Sequence, residues 1–372
     1  RDALAMGKGL PLAPLTAEQG SPNHSTVNHP LPTEGTAGAL SYPRMVEVRS
    51  RFVTFHPPAN ARFLVGDFTD WDKRPIPIQG PLTLEFPPHA YVEYAFLDDQ
   101  GKPFPDPDNP HKAQNPWWTY PRAVELPGFR YEAPPQASGE GKGVHRHRLE
   151  SAIFGSTRRY YVYEPSQTPR TTLYVQDGVA YYRTAQFADI AEALCEHGEI
   201  EPVRMVFIEP EDRRSEYWFN PKYEQFLLRE IIPAVESHYG KTEQKGLWGA
   251  SLGGAVSAWL ALRNPQLFQV VGTQSACLTL EPGGDDSYTA PEWLTQQYAS
   301  AERLPLRFYC ETGQIEWLLA PNRRFAAMLQ DKGYPHAYLE RPSGHNWMTW
   351  RQGLAPGLRY LFPKARQGGK SV

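Results

Sequence analysis

Over the first 44 positions the apolar residues stand singly among Pro, Gly, Ser, Thr and Asn, with neither the period of a strand nor that of a helix. So little apolar surface does not offset the entropy of ordering, and residues 1–44 read as a disordered tail. The pattern changes at Val46. Short apolar runs follow one another: Val46-Glu47-Val48, Arg51-Phe52-Val53-Thr54-Phe55, Ala61-Arg62-Phe63-Leu64-Val65, Leu82-Thr83-Leu84-Glu85-Phe86 and Tyr91-Val92-Glu93-Tyr94-Ala95-Phe96. Prolines and Asp/Gly clusters separate them at the spacing of an antiparallel sandwich, which predicts a small β domain over 45–132. Pro134-Pro135 and the run from Ser138 to Gly143 join chain breakers to flexible residues, so 133–143 reads as a linker.

Beyond the linker, strand-like and helix-like patterns alternate. Tyr160–Tyr163, Leu173–Val175, Arg204–Ile208, Leu247-Trp248, Val270-Val271, Leu306–Cys310 and Tyr338–Glu340 read as strands. Ala185–Cys195, Phe226–His238, Ser251–Arg263 and Asn322–Leu329 carry apolar residues at helical spacing. Such alternation predicts an α/β domain over 144–372, a mostly parallel sheet with helices on both faces and its chemistry at the carboxyl ends of the strands.

Composition narrows the function. At roughly 100 to 200 residues per domain, 372 residues favour two domains over one. Lys and Arg total 38 against 41 Asp and Glu, a net charge of −3 that provides no basic excess for a nucleic acid. The 30 glycines and 37 prolines suit loop-rich or β-rich structure and argue against a helical bundle. No run approaches the ~18 apolar residues that cross a bilayer, and no secretory h-region is seen, so the sequence reads as soluble and cytoplasmic with no membrane partner. Cys195, Cys277 and Cys310 are odd in number and widely spaced, reading as buried thiols and neither disulfides nor a zinc site.

The sharpest motif is Gly249-Ala250-Ser251-Leu252-Gly253-Gly254, a G-x-S-x-G-G sequence between a strand and a helix. A serine on so tight a turn points its hydroxyl outward at a helix N-terminus, and the flanking glycines leave room where chains would collide. Ser251 is the candidate nucleophile. A serine hydroxyl needs a base, and His345, in the loop Ser343-Gly344-His345-Asn346-Trp347 near the end of the domain, is the candidate. The acid that orients it should lie between the two in chain order. Glu316 and Glu311 both follow the strand Leu306–Cys310; Glu316 is preferred because it lies past Gly313 and just before a helix. A serine-histidine dyad without a carboxylate stays open. For the oxyanion, the elbow supplies the Leu252 N–H, and the turn Gln176-Asp177-Gly178-Val179 suggests the Val179 N–H as second donor, with an ordinary Asp-Gly turn as the alternative.

These pieces, with Asp212-Arg213-Arg214-Ser215-Glu216-Tyr217, Phe226–Pro233, Gly313–Glu316, Gly344–Trp347 and Trp350-Arg351, resemble the esterase D group of α/β hydrolases, and within it the enterochelin esterase-like proteins. The resemblance spans roughly 145–363. It implies an α/β-hydrolase fold, Ser251 as nucleophile, His345 as base and an acid at Glu316. It also places Arg213, Glu216, Asp177 and Trp347 near the substrate, although Arg213 and Glu216 also suit a structural ion pair. The family often has Asp where this chain has Asn346.

In the front domain Val65-Gly66-Asp67-Phe68-Thr69-Asp70-Trp71 resembles the G-D-F-x-x-W segment of early-set, immunoglobulin-like domains found before starch-active enzymes and some esterases. This implies a glycan partner for Trp71, or a packing role. Trp117-Trp118 and Tyr120 either wall the active site or pack against the domain interface. His145-Arg146-His147-Arg148 alternates along a strand; two histidines are too few for a metal, while its arginines with Lys142 offer a basic face to an anionic substrate. The expectation is therefore a serine carboxylic-ester hydrolase, without cofactor or metal, acting on a small-molecule ester such as a siderophore lactone. A carbohydrate esterase for acetyl or feruloyl groups, with a glycan-binding front domain, and a non-catalytic glycan-binding or scaffold protein are the alternatives. Nothing in the sequence bears on oligomeric state.

Overall fold

The structure, a computed structural model, describes residues 46–71, 73–138, 143–284 and 290–364. The expected tail at 1–44 and residues 139–142 of the expected linker lie outside the described residues.

The front part contains strands β1 (Glu47–Arg49), β2 (Phe52–Phe55), β3 (Phe63–Gly66), β4 (Ile76–Pro77), β5 (Leu82–Glu85), β6 (Tyr91–Leu97), β7 (Pro103–Phe104) and β8 (Arg122–Glu125). They form two antiparallel sheets, β1-β2-β5 and β4-β3-β6-β7, with β8 added along β6. Alternate residues of the two inner faces fill the sandwich, Val53 and Phe55 from one side and Leu64, Val92, Tyr94 and Phe96 from the other. The expected β module is present. Strands β4 and β7 are two residues long, too short to leave an alternation in sequence, and β8 follows a proline-rich stretch that reads as loop.

The second part contains β9 (Val144–Ser151), β10 (Ser156–Tyr163), β11 (Thr171–Val175), β12 (Val203–Ile208), β13 (Gln244–Ala250), β14 (Val270–Gln274), β15 (Arg307–Gly313) and β16 (His336–Arg341). Their order is β9-β10-β12-β11-β13-β14-β15-β16, with the six strands from β12 to β16 parallel and β10 antiparallel to both neighbours. Helices α1 (Phe187–Glu196), α2 (Arg213–Tyr217), α3 (Pro221–Phe226), α4 (Ile232–Tyr239), α5 (Leu252–Arg263), α6 (Trp293–Ser300), α7 (Leu319–Asp331) and α8 (Trp347–Leu361) cover the sheet. Helices α1 and α8 share one core, and α2 through α7 bury their apolar sides in the other, so both faces are covered as the alternation predicts. The single helix expected over Phe226–His238 is α3 and α4 joined by a wide turn at Leu227–Ile231; Pro233 has no N–H to give to that turn. All three cysteines are buried and free. Among the described residues no helix is long and apolar enough to cross a membrane.

Trp248, fully buried on β13, is the pin of the α8 side. It stacks on Tyr309 with ring centroids 5.6 Å apart and meets Phe187 at 5.0 Å. Glycine makes this possible, since a Cβ on Gly272 would lie 2.0 Å from Trp248 Cε3 and one on Gly357 would lie 2.4 Å from Cη2. Gly272→Ala is expected to lower stability by about 1–3 kcal/mol through overpacking, read as an earlier urea midpoint at an unchanged m-value.

Candidate active site

Strand β13 ends at Ala250 and helix α5 begins at Leu252, leaving Ser251 alone to turn the chain. It does so at φ 55° and ψ −121°, a backbone conformation costly for a residue with a side chain. Three backbone hydrogen bonds hold it: its N–H donates to Gln274 O at 2.9 Å, and its carbonyl accepts from Ala255 N and Cys277 N at 3.0 Å. A Cβ on Gly249 would sit 2.4 Å from the Gly253 backbone, and one on Gly253 would sit 3.0 Å from Gln176 Cβ. The glycine spacing of the motif is thus a packing requirement of the elbow.

His345 stands in the loop between β16 and α8, whose N-cap is Asn346, its side chain accepting from Thr349 N at 3.0 Å. His345 Nδ1 is 2.5 Å from Glu316 Oε2. The other carboxylate oxygen of Glu316 accepts from Ser275 Oγ at 2.6 Å, Gly313 N at 2.6 Å and Thr312 Oγ1 at 3.0 Å, so the group is fixed from both ends. The imidazole lies against Trp317 at 4.5 Å and edge-on to Trp350 at 5.0 Å. Glu311, the other candidate acid, faces away from His345. It binds Gln274 Nε2 at 2.5 Å, Tyr309 Oη at 2.8 Å and Arg341 at 3.2 Å, and burial pushes its carboxyl up.

As first residue of α5, Leu252 presents an N–H without an acceptor inside the helix. Val179 departs from expectation. Its N–H donates to Glu209 Oε2 at 2.9 Å, so the second oxyanion donor foreseen from the Asp-Gly turn is already engaged. Close packing explains why: a Cβ on Gly178 would fall 2.4 Å from Phe207 C, which lays this turn along the end of β12 where Glu209 follows. Burial pushes the Glu209 carboxyl up to about 7.

The four rim residues part company. Arg213 lies in the cleft with Ser251 and His345, and so does Trp347. Asp177 is buried beneath Arg213 and clamps it through two bonds of 2.7 and 2.9 Å. Glu216, expected near the substrate, is instead buried against Arg158 at 2.6 Å and accepts from Glu211 N and Asp212 N. Its partner is Arg158, so the foreseen Arg213–Glu216 pair does not form; two helix-start amides and a buried guanidinium draw the carboxylate inward. The arginines of β9 also miss the cleft, since that edge strand lies four places from β13.

The front domain supplies the opposite wall. Trp71, Asn115, Trp117 and Trp118 line the same cleft as Ser251, His345 and Trp350. Ring contacts run from Trp71 to Trp118 at 6.2 Å, on to Trp117 at 6.2 Å, across the domain boundary to Trp347 at 5.4 Å and to Trp350 at 5.0 Å. Trp117 remains 37% exposed, although Arg213 lies 5.8 Å from its ring. Both sequence readings of this cluster hold: Trp117 and Trp118 line the cleft, Trp117 also packs across the boundary on Trp347, and Tyr120 stands behind them, stacked on Trp118. The structure also gives Trp71 a double place, packed beside Val65 and Leu97 and open to the cleft. The sequence held no signal for this convergence, because Trp71 and Trp347 meet only through the docking of two domains.

The sequence model of the family described as putative esterase matches residues 151–361, more than half of the chain. The chain belongs to this esterase family. An uncharacterized Bacillus subtilis protein, YbbA, is 25% identical over 242 residues, covering 56% of this esterase and 94% of its relative. Among solved structures, the enterobactin esterase of Shigella flexneri, in the presence of enterobactin, matches with a TM-score of 0.65 at 18% identity, over 83% of this chain and 92% of the other. A ferulic acid esterase matches with a TM-score of 0.51 at 19% identity, over 59% of this chain and 97% of the other. At these identities the solved structures establish a shared fold. The Shigella match covers more of the esterase than the 151–361 segment, so it takes in part of the front β domain as well.

Proposed function

We propose that the chain is a serine esterase that works through an acyl-enzyme on small esters with planar aromatic groups, of the siderophore catecholate type. The observation that carries this is a strained, outward-turned serine and a carboxylate-held histidine in one tryptophan-walled cleft. Ser251 Oγ attacks the ester carbonyl while His345 Nε2 takes its proton, and Glu316 holds the Nδ1–H and stabilises the imidazolium. The Leu252 N–H holds the oxyanion, and Val179 joins it only when the Glu209 carboxylate gives way. His345 then protonates the leaving alcohol, and water, activated by the same imidazole, releases the acid. No cofactor enters this scheme.

The aromatic wall supports the substrate class. Trp117, exposed beside Trp347 and Arg213, offers a ring face and a nearby cation to a phenolic acyl group. The Shigella relative was solved in the presence of enterobactin, and the other relative is named for ferulic acid; each of these two names denotes a molecule with phenolic rings. Trp117→Ala is expected to raise KM for a dihydroxybenzoyl or feruloyl ester about tenfold, equivalent to about 1.4 kcal/mol, while p-nitrophenyl acetate turnover stays near the parent value. Equal KM on both ester types would remove the aromatic specificity.

A second reading, a carbohydrate esterase for acetyl or feruloyl sugars, is favoured by Trp71, which opens into the cleft. A sugar on that face would belong to the same substrate and not to a separate glycan. Kinetics on feruloyl and acetyl sugars beside ferric and apo catecholate esters, with retention on a glycan resin before and after Trp71→Ala, separates the two readings. We place the protein with soluble cytoplasmic hydrolases, and cell fractionation tests that assignment.

A further inference from the structure

Between the two domains lies a buried polar contact that the cleft does not use. Asp67 follows β3 in the front domain and is completely buried. Its Oδ2 accepts from Glu93 N at 2.9 Å and, across the boundary, from Asn346 Nδ2 at 2.8 Å. Asn346 adjoins His345 and caps α8. The loop seats closely on the same carboxylate, for a Cβ on Gly344 would lie 2.2 Å from Asp67 Cβ and Cγ. A second cross-boundary bond, Tyr91 N to Pro342 O at 2.9 Å, fixes the start of this loop. Gly66 brings Asp67 there: a Cβ on it would meet Glu93 O at 2.4 Å, so only glycine lets β3 run this close to β6.

We propose that Asp67 of the front domain is a positioning residue for the reaction: by holding Asn346 and seating Gly344 it fixes the loop that carries His345. The assignment rests on the serine-esterase reading. It gives the front domain a part in catalysis distinct from its tryptophans, since these shape binding while Asp67 sets where the imidazole stands. It also accounts for an amide, and not a carboxylate, at position 346. An aspartate there would bring a second carboxylate to within hydrogen-bond distance of Asp67 in a dry interface, where one of the two must take up a proton. The carboxylates facing Asp67 are Glu93 on β6 and Glu316 beside His345, with the Tyr91 phenol bonded to Glu93. Burial pushes Asp67 up to about 7 and Glu93 well above its usual range. Holding carboxyl groups at that cost supports a positional role.

The test is steady-state kinetics on p-nitrophenyl butyrate for Asp67→Ala and Asp67→Asn, with active sites counted by fluorophosphonate titration. Asp67→Ala is expected to lower kcat per titrated site about 10- to 100-fold with KM nearly unchanged, as a histidine displaced by about 1 Å would. Asp67→Asn, whose amide oxygen still accepts from Asn346 and Glu93, should recover most of that loss. A lower melting temperature with unchanged kcat per site would overturn the proposal, as would failure of Asn to rescue. Should Asp67→Ala not fold, Asn346→Ser reads the same contact from the other side, because serine keeps the α8 cap but cannot reach Asp67. Unchanged kcat there would equally sink the idea. If the parent protein itself neither hydrolyses the ester nor takes the label, the serine-esterase reading fails instead, so the two failures are distinguishable.

Discussion

Ser251→Ala is expected to remove at least about 10⁴-fold of kcat on any ester the parent accepts, and to abolish labelling by a fluorophosphonate. The labelled tryptic peptide of the parent should carry its adduct on Ser251. Alanine is the informative replacement. It has the same Cβ as serine, so it bears the same strain at φ 55°, and the three backbone bonds that hold the turn do not involve the hydroxyl. Fold and cleft therefore survive, and the variant should still bind ester while failing to turn it over. Residual hydrolysis would measure what the Leu252 N–H and the cleft achieve without a nucleophile. Activity within tenfold of the parent would mean that the elbow is only a packing device.

How much of this was legible in the sequence follows from where the information lies. The elbow is largely local: a Cβ on Gly249 would strike the Gly253 backbone and one on Gly254 would crowd Gly249 O, both within one strand-turn-helix unit, while Gly253 makes room for Gln176 and Asp177 of the neighbouring turn, so a short motif records them. The order nucleophile, acid, base is likewise visible, because a parallel sheet delivers its loops to one edge in turn. What was not legible depends on pairings between distant segments. Glu216 belongs to Arg158 and Asp177 to Arg213, choices set by which side chain the sheet brings beneath which helix. In sequence Val179 reads as a free donor, because nothing in the turn reveals Glu209 beside it. In sequence the G-D-F-x-x-W segment reads as a sandwich or glycan feature, whereas its Asp67 and Trp71 both serve the boundary with the second domain. A docking surface leaves no periodicity, and a buried Asp in a turn motif looks like any turn Asp.

Glu316→Gln decides between a triad and a dyad, and the expected outcome is a fall in kcat of about 10³- to 10⁴-fold. The argument rests on which way the amide can lie. Oε1 accepts from Ser275 Oγ, Thr312 Oγ1 and Gly313 N. The hydroxyls can rotate, but the Gly313 N–H at 2.6 Å cannot, so an NH₂ group placed there would oppose a fixed donor. The amide oxygen must take that position, which turns the NH₂ toward His345 Nδ1, 2.5 Å away in the parent. A donor facing Nδ1 makes that nitrogen the acceptor and moves the imidazole proton to Nε2, the atom that must receive the proton of Ser251. The wrong tautomer is then held in place by an otherwise intact site. KM should change little, because Glu316 is buried behind the histidine and touches no substrate. Glu311→Gln serves as the contrast, since its partners are Gln274, Tyr309 and Arg341, and any loss there should follow stability and not the chemical step. A fall of only a few-fold in Glu316→Gln would leave Ser251 and His345 working as a pair.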